Sequence, residues 1–398
     1  VFQLDARSDR VAPWGFFEFF VRETLNRSFP ILNALALAGR LGFSVKATGS
    51  IHDLSAQGSL QLSAGEIRTK SGSWQVGPIR LALPFRIHYP TARSESSPAK
   101  IQTGTLAIDA ARFGEESIPP VKTTVSLWNN VLQFTQPIRV SIHSGTIEIN
   151  NLVWTDLIKD TQALSFSLAV KNIELSKLTE ALGWYPFSGS LTGTIPRAEL
   201  VNHSLRSQGG VQADVFGGRV QITKMEIENP FSSLPSIRLD ASFQEIQLEQ
   251  VSETFEFGRI SGILEGIVSG LLIAAGQPSE FQADIYTVER SGTSQWINVE
   301  ALNKLTILSS GDGGSNVYGG LVSFFDNFRY SKMGFKATLR NDKLTLRGIE
   351  SKDGNEFLVV GSFLPPTVNV ISHTPEIGFS DLMKRLEQIR KSDKPQIK

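Results

Sequence analysis

The sequence predicts a mainly β protein: an elongated, repetitive, mostly antiparallel twisted sheet, with short helices at its ends and between repeats, that either folds on itself as a sandwich or curls into a hydrophobic groove. Three observations carry that reading. First, the stretch 145–195 recurs without a gap at 218–268. Ile149, Ile173, Leu175, Ser188, Gly189, Leu191 and Gly193 return as Ile222, Ile246, Leu248, Ser261, Gly262, Leu264 and Gly266, an offset of 222 − 149 = 73. Such an echo marks a supersecondary unit that cannot hide its apolar face alone and stacks on its neighbours. Second, apolar and polar residues alternate through most of the chain from about Val45, the signature of half-buried antiparallel strands. Third, SGSLTGTI puts Gly189, Leu191, Gly193 and Ile195 on one face and hydroxyl residues on the other. Glycine alternating with aliphatics leaves that face thinly filled, so the sheet bends easily.

Taken in order, 1–45 reads as an N-terminal apolar helical segment. Trp14, Phe16, Phe17, Phe19, Phe20 and Val21, then Phe29, Ile31, Leu32, Leu35, Leu37 and Leu41, are split by Pro30, which suggests helices over 14–26 and 30–41. The first part of the groove spans 46–144, where Leu60 and Leu62, Leu106 and Ile108, and Val121, Val125 and Leu127 alternate with polar residues. Tyr89 to Lys100 reads as an exposed loop. The two 73-residue repeats lie in 145–290, each with a short helix, at 176–182 and 249–255, whose apolar residues sit four apart. A weaker third copy begins at Gly72. A helix near 295–309 and a glycine-rich connector fill 291–330, closing strands fill 331–371, and Ser380 caps an amphipathic helix within 376–391, before a tail at 392–398.

Composition narrows the function. Lysine plus arginine equals aspartate plus glutamate at 39 each, so there is no basic field for nucleic acid. The 25 phenylalanines against five tyrosines make an apolar surface with few polar handles. Cysteine is absent, which excludes disulfides and thiolate chemistry and suits an oxidising compartment such as a periplasm. No run of eighteen apolar residues is long enough to span a bilayer, and a start at Val1 suggests a mature or truncated piece. The five histidines have no zinc-site spacing, no serine sits in a nucleophile elbow and no Gly-Lys dipeptide offers a phosphate loop. The reading is therefore non-enzymatic, with no cofactor and no metal.

A one-sided sheet with so few helices must cover its apolar face, either with a second sheet or with lipid tails. Parity selects the candidate lipid-binding residues: Ile147, Ile149, Phe166, Leu168, Leu191 and Ile195 in the first repeat, with Val220, Ile222, Leu239, Phe243, Leu264 and Val268 in the second. Leu382, Met383, Leu386 and Ile389 form a stripe on the last helix suited to a membrane or partner contact.

The repeat strands, the glycine-rich connector and LRNDKLTLRGIESKDGNEFLVVGSF over 339–363 resemble the C-terminal part of the bacterial AsmA-like superfamily, TamB/YdbH-type periplasmic bridge-like lipid-transfer proteins. In that family the closing strands flank a short Asp-containing turn, the place Asn341-Asp342 takes here. The resemblance covers roughly 145–363. It implies a periplasmic bridge, its sheet curled into a hydrophobic, taco-like groove that passes phospholipid between inner and outer membrane, with membranes or envelope proteins as partners at its ends. The inner-membrane anchor expected of the family would then belong to a missing N-terminal segment. The alternative is a non-catalytic β-repeat scaffold or assembly factor for outer-membrane biogenesis.

Overall fold

A computed structural model describes residues 2–12, 15, 35–50, 52–70, 74–89, 101–113, 116–157, 161–181, 188–230, 232, 234–310, 326–363, 368–372 and 376–384. The chain is mainly β, a large open sheet of many strands that is not closed and is antiparallel in nearly every pairing. It divides into two compact units. The first comprises Val1–Ile173, Thr192–Gly209 and Glu226–Pro235; the second comprises Glu174–Leu191, Gly210–Met225 and Ser236–Lys398.

In the first unit, strands Phe2–Val11, Leu35–Gly49, Leu54–Thr69 and Trp74–Tyr89 pair in sequence order. Leu35–Gly49 is a strand where a helix is expected over 30–41. Leu35, Leu37, Leu41, Phe43, Val45 and Ala47 recur at even spacings, so the pleat gathers them on one face, and that burial overrides the helix propensity of the leucines and alanines. The helix expected over 14–26 and the loop over 90–100 lie outside the described residues. A short parallel contact joins Phe85 and Arg86 to Leu127 and Trp128.

The second unit centres on strands Ser236–Gln247, Ile263–Ala274, Gln277–Val288, Asn327–Arg340 and Lys343–Gly348, each antiparallel to the next. Asn327–Arg340 changes partners along its length. Its start pairs with Trp296–Asn298 and residues 330–333 pair with Asn355–Gly361, while 334–340 join the main ladder. The branch closes over a helix, α3 (Val299–Ser310), described below with α1 (Leu175–Ala181) and α2 (Leu248–Thr254).

Secondary structure at the two echoing stretches corresponds residue for residue. Gly145–Thr155, Ala163–Glu174 and α1 have counterparts in Gly218–Glu228, Ser236–Gln247 and α2. Positive φ falls at Asn151 and Lys224, at Asn172 and Glu245, and at Gly189 and Gly262. Thr179 and Ser252 are both buried hydroxyls in these helices. Thr179 donates to the Leu175 carbonyl (2.8 Å) and Ser252 to that of Glu249 (3.1 Å). The weaker third copy lacks its helix, since Gly104–Ile108 is a strand there.

Bulges interrupt the ladders, with register shifts at Ala38/Arg40, Leu62/Gly65, Asn150/Val153 and Phe243/Ile246. Each adds a residue to one strand, which bends that strand and raises its twist while returning the next apolar side chain to the same face. One is held by chemistry that changes between the echoing stretches. Asn151 Nδ2 donates to Ser167 Oγ (3.3 Å), whereas at the equivalent places Lys224 Nζ lies 3.1 Å from Asp240 Oδ2. The Gly270 amide, freed by its own bulge, donates to Asp240 Oδ1 (2.8 Å).

Candidate functional site

The site is a face, and cross-strand register builds it. Directly opposed residues project to the same side of a sheet, so each line of partners is a row on one surface. In the first unit one such row runs through eight strands: Ala6, Val45, Gly58, Phe85, Leu127, Leu132, Trp154 and Leu164. All eight are half-buried. A second row sets Phe43 beside Leu60 and Leu83, and a third sets Leu41 beside Leu62, Leu81 and Leu106. Gly58 breaks the first row for a steric reason: a Cβ there would come within 2.8 Å of the Phe85 ring, which lies over it.

The reverse face is polar. Arg80 meets Asp109 through two hydrogen bonds (2.7 and 2.6 Å), and Arg139 Nε meets Glu148 (2.9 Å). The Arg139 guanidinium holds the Glu148 carboxyl below its usual range. Such exposed pairs contribute little stability and mainly fix which face meets water.

Of the candidate residues in this unit, Ile149 opposes both Ile138 and Leu168, and Ile147 opposes Val140 and Val170. Phe166 shares its side of the strand with Leu168. These four are half-buried, whereas Ile195 is buried at 2% exposure. Parity reasoning over the repeats missed the rows in strands 35–89, whose signal was the same alternation.

In the second unit Leu239 opposes Leu271, Val268 opposes Ala241, Phe243 opposes Gly266, and Leu264 opposes Ile246. One face therefore receives all four. They are not equally free. Leu191, Val220, Phe243 and Leu264 pack with α1 and α2 around buried Leu175, Ala213, Val215 and Ile246. Val268 borders buried Ala283, Ala337, Leu339 and Leu344. Ile222 and Leu239 are half-buried outside these clusters. Ile267, on the reverse face, is 54% exposed.

Around α3 the same kinds of residue are sealed. Ile297, Ala301, Leu302, Phe328, Val359 and Val370 are 0–2% exposed. Asn298 caps the helix, its Oδ1 accepting from the Ala301 amide (2.9 Å). Tyr330 donates its hydroxyl to the Ser261 carbonyl (2.8 Å), and burial raises that hydroxyl above the ordinary phenol range. A Cβ on Gly262 would collide with this hydroxyl. The buried Lys304 ammonium donates to the Glu256 carbonyl and to Glu300 Oε1, both at 2.8 Å.

At the C-terminal end, Leu382 packs on the chain's own sheet beside Leu339 and Leu344, and Met383 is 48% exposed. Leu386 and Ile389 lie outside the described residues. Among the described residues, no three His, Asp or Glu side chains converge on a metal-sized site, and no helix is long and apolar enough to cross a membrane. No family model, curated protein or solved structure matches the chain.

Proposed function

We propose that this chain binds phospholipid acyl chains along the apolar face of its sheet and passes them between membranes, as a non-catalytic periplasmic lipid-transfer protein or a piece of one. The carrying observation is the eight-strand row from Ala6 to Leu164, apolar, in register and half-buried throughout. A row left in that state costs free energy in water, and a hydrocarbon tail relieves it. At ~0.8 kcal/mol per methylene, a chain of about fifteen carbons gains on the order of 12 kcal/mol in full contact. The bulges support a curled, groove-like sheet, and the matching elements at 145–181 and 218–254 support a repeated building block within it. The periplasmic setting, and a place between inner and outer membrane, are what the AsmA-like resemblance implies.

Native mass spectrometry of the purified protein, before and after delipidation, tests this reading. Bound phospholipid that leaves on delipidation and returns from vesicles is the expected result, and protein that is empty in both states and takes up none overturns it. The scaffold alternative draws on the sealed core around α3, where the chain packs a sheet face dry with its own residues. It gains if that empty protein also assembles with envelope proteins.

A further inference from the structure

One stretch of the second unit's apolar face is covered by the chain itself. Glu376–Gly378 adds a short antiparallel strand to Lys343–Gly348, with Leu344 opposite Ile377 and Thr345 opposite Glu376. Beyond it Ile377, Phe379 and Leu382 pack on Leu339, Leu344 and their neighbours, with the Phe379 ring edge-on to Phe281 at 6.4 Å. These side chains bring branched aliphatic and phenyl groups to the place where a hydrocarbon tail would lie. The attachment is slight. Its polar part is three strand registers, an exposed Lys343–Glu376 pair (2.8 Å) and a staple at Asp342. There the Asp342 carbonyl accepts from the Phe379 amide (2.7 Å), and Oδ1 accepts from the Ser380 amide (2.8 Å) and hydroxyl (2.7 Å).

We infer that 376–384 is a displaceable internal ligand: it occupies the Leu339/Leu344 end of the apolar face and competes there with acyl chains for the same surface. The inference rests on the lipid-binding reading, and adds where passage along the face is controlled. Beneath the segment Leu339 is 1% and Leu344 4% exposed, while Ile149 and Leu168, which no such segment covers among the described residues, stay half-buried. Local covering by a weakly tied segment is what a competitor requires.

The native chain has no cysteine, so Thr345→Cys with Glu376→Cys places one disulfide across directly opposed strand positions and locks the segment down. A photo-crosslinking residue at Leu346, or separately at Phe166, reports capture of phosphatidylethanolamine from vesicles. Oxidation should lower capture at Leu346 several-fold, reduction should restore it, and capture at Phe166 should not change. As a second route, Asp342→Gly removes the two Oδ1 bonds of the staple, keeping only the backbone one from the Phe379 amide, while suiting the positive φ of that residue (63°) and leaving an Asn-Gly hairpin turn. It should raise capture at Leu346 alone. Equal capture at Leu346 in the locked and released states, with capture at Phe166 intact, overturns this inference and leaves the lipid reading standing. No capture at either position in any state overturns both.

Discussion

At Ile149 and Leu168 the apolar face of the sheet is half-buried, whereas at Ile297 and Phe328, also apolar strand residues, exposure falls to 1% and 2%. The residue types do not explain the contrast. Both regions are built from strands with alternating aliphatic and aromatic positions, paired in the same antiparallel way. What differs is a covering layer. Around Phe328 the strand Asn327–Arg340 leaves one ladder for another, and α3 fills the angle between the branches with Ala301 and Leu302. Around Leu168 the described residues supply bulges, which bend a sheet, and no helix that seals it. At these two places exposure follows the covering layer more than the hydrophobicity of the strand.

Charge breaks the contrast most sharply. Leu302→Lys sets an unpaired ammonium in a site with 0% exposure and should abolish folding of the second unit, because a buried charge without a partner costs several kcal/mol or more. Leu168→Lys should leave the strand circular-dichroism signal in place, since the head group reaches water from a half-buried site, yet it should abolish lipid capture at Phe166. If both variants unfold, the face at Leu168 is a packed core.

Truncation is the next largest effect. Phe328→Ala should cost about 3–5 kcal/mol in denaturant unfolding, because a sealed site cannot collapse onto the vacated volume. Leu168→Ala should cost roughly 1–2 kcal/mol, in proportion to the smaller area it hides. Equal losses would erase the distinction between the regions.

A smaller effect isolates one hydrogen bond inside the sealed region. Tyr330→Phe removes the hydroxyl's hydrogen bond to the Ser261 carbonyl and should cost about 1–1.5 kcal/mol at neutral pH. It should also change the alkaline limb. The folded hydroxyl ionises above the ordinary phenol value of 10.0, so the unfolded chain gives up its proton first and stability falls as pH rises past that value. The variant should lose this part of the alkaline decline, measured as the unfolding midpoint against pH.

The smallest effect lies at a bulge. The Gly270 amide, then Lys224, hold the Asp240 carboxyl below its ordinary value of 3.8. On acidification the unfolded chain takes up the proton first, so the stability Asp240 adds at neutral pH fades as pH falls through that value. Asp240→Asn should cost about 0.5–1.5 kcal/mol at pH 7 and flatten this acid limb.

Much of this architecture was legible because period and repetition are local signals. The helices at 175–181 and 248–254, the turns at Asn341-Asp342 and Asp353-Gly354, and the shared face of Leu239, Phe243, Leu264 and Val268 all follow from spacing. Leu35 to Leu41 misled because leucine and alanine favour helix while their even spacing serves a strand equally well. The bulges escaped notice because Ala64, Asn151 and Lys224 take positive φ without being glycine. The division of candidates into free and packed was also hidden. Leu264 and Leu168 look alike in sequence, and only the approach of α2 and its neighbours separates them.

Pairing between sequence neighbours, seen through strands 35–89 and again from 263 to 288, bears on how the chain comes together. Each of these ladders can zip as soon as its second strand exists, so the sheet can lengthen in step with a chain that arrives end first, without waiting for distant residues. The sealed region obeys another schedule. Gln277–Val288 meets Asn327–Arg340 only across the intervening α3, a longer loop to close than a hairpin's, and Phe328 and Leu302 are sealed once that closure is made.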